Sequence, residues 1–167
     1  MKSLCLFILS ISALLTAEVN ANAQLTVNDA FYEMKSLVGV WQKADVEKPN
    51  LIVSFELIAN SSVLVETWLH KGKKHSLTMY HLDNESLLAT HYCPQGNQPR
   101  LNLTKNSTAN KLNFSFLDVT NLASSSDSHQ HSLGFEFSKD KGKILRKESY
   151  LTNNKEDVSE LHLVRRK

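Results

Sequence analysis

Cysteine is nearly absent: the chain carries 2, Cys5 and Cys93, and Cys5 lies in an N-terminal apolar run that reads as a removable leader. Cys93 then stands alone, so no intramolecular disulfide can form and a disulfide-stapled fold is excluded. A lone thiol in an oxidising compartment is buried, paired with another chain, or reactive, and burial is the default for a free cysteine. An excess of one charge is missing too. With 19 Lys and Arg against 17 Asp and Glu the formal net charge is +2, which offers no clustered basic face for nucleic acid. The closing Arg165-Arg166-Lys167 reads as a solvated strand end. Beyond residue 17 no apolar run approaches the roughly 20 residues a membrane helix needs. Helical periodicity is absent after the first forty residues, and no c-type haem attachment motif exists.

What is present starts with the leader. Lys2 supplies a basic start, Leu4 to Ala17 a short apolar run, and Ala21-Asn22-Ala23 a small-residue cleavage pattern. Residues 1–23 are therefore expected to be a signal peptide, with the mature chain starting at Gln24 and exported to the periplasm or beyond. Removal of Lys2 and Glu18 leaves the charge at +2. Residues 24–167 match one domain, since domains most often run to roughly 100–150 residues.

Asn28 to Leu37 is the one helical stretch. Thr26 or Asn28 can cap it, Phe31, Met34 or Lys35, and Val38 recur at helical spacing, and Gly39 breaks it. Val40-Trp41 opens the first strand. Alternating runs follow at 51–59, 63–70, 75–82, 86–93, 100–105, 111–117, 129–138, 143–151 and 157–165, separated by turn chemistry. A Ser-rich stretch, Asp118 to Ser128, is too short to link domains and long enough to be a lid. About ten strands in sequence-adjacent order predict an all-β, up-and-down antiparallel barrel with one short N-terminal helix. Closure removes exposed edges, and barrels of this size enclose a cavity.

The helix followed by Ser36-Leu37-Val38-Gly39-Val40-Trp41 resembles the lipocalin-like (calycin) barrels, whose first strand begins with Gly-x-Trp. His91-Tyr92-Cys93-x-x-Gly96-Asn97-Gln98-Pro99-Arg100 looks like the signature of a group of small secreted bacterial proteins with such a barrel. The resemblance implies that Trp41 plugs the closed end beneath a basic side chain from the last strand. It implies no settled activity and names no cofactor. Unlike ordinary lipocalins, the chain shows no C-terminal helix pattern.

The stretch from Leu77 to Leu101 is the candidate site. Tyr80, His81, His91, Tyr92, Cys93, Asn97, Gln98 and Arg100 offer donors, acceptors, a thiol and a fixed charge within one hairpin and its exit loop. A three-residue Asp83-Asn84-Glu85 loop puts Met79, His81, Ala89, His91 and Cys93 on one face and Tyr80 and Tyr92 on the other; a two-residue Asn84-Glu85 loop mixes these sets. The two registers stay open. Pro94, Pro99 and Gly96 stiffen and shape the loop that presents Asn97, Gln98 and Arg100. The expected function is a binding protein for a small, partly apolar molecule, with Arg100 and His91 together orienting its polar or anionic end. A fixed cation beside His91 would depress its protonation.

Rival readings come from other classes. His91 with Cys93 suggests a thiol enzyme, which also needs a positive neighbour and an oxyanion donor. His129 and His131, two apart on a strand, suit a divalent metal, with Asp127 or His91 as a third ligand. Haem on His162 is weakened by alternation, which turns His162 away from Leu161 and Leu163. A structural envelope protein is a further alternative, and oligomeric state is not legible.

Overall fold

The computed structural model describes residues 24–166; the expected signal peptide lies outside them. Helix α1 (Val27–Lys35) is capped by Thr26, whose hydroxyl oxygen accepts from the Asp29 backbone N–H at 3.1 Å and donates to the Asp29 carboxylate at 2.6 Å. Asp29 in the first turn and Lys35 in the last complement the helix dipole. The inward face buries Ala30, Phe31 and Met34. Leu37, expected to be helical, is buried in the turn beyond the helix.

Ten strands follow: β1 (Gly39–Lys43), β2 (Leu51–Ile58), β3 (Val63–His70), β4 (Lys73–Asp83), β5 (Ser86–Tyr92), β6 (Gln98–Leu103), β7 (Lys111–Thr120), β8 (His129–Phe137), β9 (Lys143–Thr152) and β10 (Lys155–Arg165). Each pairs antiparallel with its sequence neighbour, and β1 pairs with β10 to close the barrel. The expected architecture is therefore the observed one. β7 runs on through Thr120, which shortens the expected lid to a turned segment held by the Asp127 carboxylate on the Ser124 N–H at 3.0 Å.

The β4–β5 hairpin settles the open register. Asp83 pairs with Ser86 and Asn84 takes φ 52°, so the loop is the two-residue one. Tyr80 then lies opposite Ala89 and Thr78 opposite His91. All four are buried inside the barrel.

One end of the barrel is filled. Tyr80 meets Phe114 and Phe135 with ring centroids 5.9 and 6.1 Å apart, and Phe55 meets Phe135 at 6.3 Å. Below them Trp41 is fully buried and donates its indole N–H to the Leu37 carbonyl at 2.7 Å. Arg165 of β10 lies over the Trp41 ring at 4.4 Å and donates to the Val38 and Ser36 carbonyls at 2.7 and 2.8 Å. The guanidinium thus ties the last strand to the helix exit and caps the indole face. Gly39 makes this possible: its φ is +130°, and a Cβ there would stand 2.7 Å from Arg165 Nη1.

Gly39→Ala is expected to cost about 1–3 kcal/mol, from backbone strain and displacement of a pinned guanidinium. Urea denaturation of both proteins checks this, and an unchanged midpoint would show that the Arg165 clamp carries little of the closed end.

Candidate functional site

Strand alternation turns polar side chains inward toward the opposite end. β3 sends in Glu66 and Trp68, β4 Thr78 and Tyr80, β5 His91, β8 Gln130, and β9 Arg146, Glu148 and Tyr150. Carboxylate and guanidinium in a barrel interior must find each other, because an unpaired buried charge is far costlier than a paired one. They do. Glu66 Oε1 accepts from Arg146 Nε at 2.9 Å and from the Trp68 indole at 2.5 Å, while Oε2 accepts from the Tyr80 hydroxyl. Arg146 Nη1 donates to Glu148 Oε2 at 2.8 Å, and Gln130 Nε2 donates to the same oxygen at 2.9 Å. The guanidinium stacks on the Trp68 ring at 4.6 Å.

These contacts fix protonation. Burial alone would favour neutral Arg146, but Glu66 and Glu148 more than offset it and the group stays charged. Burial likewise works against the Glu148 carboxylate, and Arg146 outweighs it, leaving the pKa below the usual range. Tyr80 is held well above its ordinary value by burial and then by Glu66. His91 is pushed down to about 4, first by burial and then by Arg146. Its ring nitrogens meet Thr78 Oγ1 at 2.9 Å and the Tyr150 hydroxyl at 3.3 Å. Tyr150 is raised by burial and then by Glu148, so at neutral pH a phenol stands beside a neutral imidazole.

Between these groups and the rim is a hollow of about 130 Å³, lined by Trp68, Ser76, His91, Arg146, Glu148 and Tyr150, with His75 and Pro94 at its edge. A larger hollow of about 440 Å³ near Ala44, Phe137 and His162 has no comparable set of buried polar groups.

The residues expected from sequence divide sharply. Tyr80 and His91 are in the interior network. Cys93 is half-buried near Tyr150, and burial raises its thiol pKa. Tyr92 is exposed, and His81 lies against the Leu82 carbonyl at 3.2 Å. The loop's polar groups are engaged locally. Asn97 donates to the Ser128 carbonyl at 2.8 Å, and Gln98 donates to the Gly96 carbonyl at 2.9 Å while accepting from Thr120 at 2.7 Å. Arg100 does not meet His91. It pairs in register with Thr90, one residue away on the opposite face, and its guanidinium grips Asp118 on the outside through Nε at 2.6 Å and through Nη2. The cation that depresses His91 is Arg146.

His129 and His131 also play another part. β7 and β8 share no registered pair beyond Ser115 and Ser132, and past that point Phe116 packs against both imidazoles at 4.9 and 5.5 Å. The Asp127 carboxylate binds the Ser124 N–H, and His91 faces the interior, so neither joins them as a third ligand. Among the described residues, no three His, Cys, Asp or Glu side chains gather to hold a metal. His162 is exposed, as alternation implied.

Sequence reading missed Glu66, Arg146, Glu148 and Tyr150. The available signal was alternation itself: Ile144, Arg146, Glu148 and Tyr150 share one face of β9, and the first of them is core.

Two outcomes follow. Folded His91 titrates near 4 and unfolded histidine near 6.5, so the unfolded chain binds the extra proton between those values. His91 should therefore contribute ~3 kcal/mol that is fully present above pH 6.5 and lost as pH falls toward 4. Urea denaturation at pH 7 and 4.5 should show this loss in wild type and a smaller one in His91→Gln. Arg100→Ala, at a side chain 43% exposed, should change stability by less than about 0.5 kcal/mol, as surface substitutions do.

No family model matches this chain, and no curated protein does. Among solved structures, "Crystal Structure of Rv2717c from M. tuberculosis" matches at 15% identity, covering 83% of this chain and 98% of that one with a TM-score of 0.49.

Proposed function

We propose that this chain is an exported, lipocalin-like binding protein that holds a small molecule in the polar mouth of its barrel. The observation that carries the reading is Arg146 Nη2. It belongs to a side chain 1% exposed that lines the hollow, and it has no hydrogen-bond partner among the described residues. An unmet buried donor costs about 1–3 kcal/mol, and a ligand oxygen placed there recovers it. Tyr150 and His91 stand beside it as hydrogen-bonding groups. The Gly39-x-Trp41 start of β1, clasped by Arg165, supports the lipocalin-like kinship, and the N-terminal leader pattern supports export.

Binding is favoured over catalysis by the protonation states. A general base works best with a pKa near the operating pH, and His91 lies far below it. Its two nitrogens are committed to Thr78 and Tyr150 rather than to Cys93. A thiol whose pKa is raised by burial is a weak nucleophile at neutral pH. The ligand is compact, because 130 Å³ is well below the roughly 300–1,000 Å³ of ordinary ligand pockets.

Ser76 lines the hollow and is only partly buried, so Ser76→Trp should fill the mouth without disturbing the ion pairs. Native mass spectrometry of protein from its own source should find a co-purifying small mass on the wild type and none on this variant. The same mass on both would put the binding site elsewhere.

A further inference from the structure

We infer that the ligand meets the site through a neutral amide-type edge, a carbonyl oxygen adjacent to an N–H. The inference rests on the mouth being the binding site and goes on to its chemistry. Arg146 Nη1 and Gln130 Nε2 both donate to Glu148 Oε2, so neither of them takes up Glu148 Oε1. Glu148 is 20% exposed and borders the hollow. The guanidinium and carboxylate, joined through Nη1 and Oε2, therefore leave a donor nitrogen, Nη2, and an acceptor oxygen, Oε1, outside their own contact. A second acceptor, Gln130 Oε1, is buried without a partner among the described residues. A group that only accepts satisfies Arg146 and leaves Glu148 facing it empty. One that only donates does the reverse.

Charge narrows the class further. Two carboxylates, Glu66 and Glu148, stand against the single guanidinium of Arg146. An anion would add repulsion from two carboxylates, although the sequence had allowed an anionic group. A cation would face the guanidinium and leave Nη2 unmet. A neutral carbonyl with an adjacent N–H answers both free positions without adding charge. Size agrees: 130 Å³ is about four waters' share of liquid volume at roughly 30 Å³ each.

The test uses four probes of nearly equal shape: acetamide, acetone, acetate and acetamidinium, titrated against ¹⁵N-labelled protein at pH 7. The chain has 2 tryptophans, so the Trp68 indole N–H, bonded to Glu66 and stacked on Arg146, reports the site, and the Trp41 indole at the closed end is the control. Acetamide should shift the Trp68 signal alone and bind about tenfold more tightly than the other three, as expected for one buried partner left unmet. In Glu148→Gln, which removes one negative charge, acetate should gain on acetamide. Tighter binding of acetate or acetamidinium to the wild type would overturn the amide class and leave the mouth as the site. Equal binding by acetone would overturn the need for an N–H. If no probe moves Trp68, or all move both indoles alike as adventitious additives only, the mouth itself is excluded along with the class.

Discussion

The pairing of Glu66 with Arg146 governs the open half of this barrel. Both side chains are essentially excluded from water, and neither can be there alone, since breaking a buried pair strands a charge at a cost of about 3–5 kcal/mol. The pair then dictates its surroundings. Glu66 has lone pairs to fill, which the Tyr80 hydroxyl and Trp68 indole do. Arg146 has a second donor arm, which draws in Glu148, and Glu148 draws in Gln130. The field of Arg146 adds to burial in holding His91 neutral, so an imidazole nitrogen can accept from Tyr150. One salt bridge thereby sets the hydrogen-bonding character of the whole mouth.

The two ends of the barrel solve opposite problems. At the closed end Arg165 is spent on carbonyls left free after α1 and on the face of Trp41, so a charge on a strand end becomes a clasp. Beneath the network, Tyr80, Phe114 and Phe135 fill the bore. That packing gives the barrel its apolar core and lets the open half carry a buried ion pair that contributes little net stability. It also keeps Arg146 in place, since Phe135 lies at 5.9 Å from the guanidinium on the core side.

Strands and turns were legible because period-2 alternation and turn residues are local signals, and the order of ten strands in sequence made closure the natural topology. The site was legible only in Tyr80 and His91. Arg100, Asn97 and Gln98 looked functional because a loop rich in polar side chains resembles a binding loop. Such groups are also what a loop needs to satisfy its own backbone and neighbours, as with Asn97 on Ser128 and Arg100 on Asp118. Glu66 and Arg146 lie 80 positions apart, so neither shows its partner in sequence. On a strand face each looks like one more polar residue. Only the closed topology, which places β3 and β9 across the bore from one another, makes them a pair.

For the binding role proposed above, the same geometry makes selectivity a matter of hydrogen-bond pattern rather than of volume. A ten-stranded barrel has room for a large ligand only if its bore is left open, and here aromatic rings occupy the lower part while the ion network roofs them. What remains is shallow and small, so little apolar area is available to supply affinity. Discrimination then falls to the fixed groups at the mouth, whose positions are held by partners on several strands: Arg146 by Glu66 and Glu148, His91 by Thr78 and Tyr150, Trp68 by Glu66. Groups held that firmly lose little entropy on binding, which lets a small ligand be retained through few contacts. They also cannot rearrange to accept a misplaced donor or charge, so a mismatch leaves a buried group unmet.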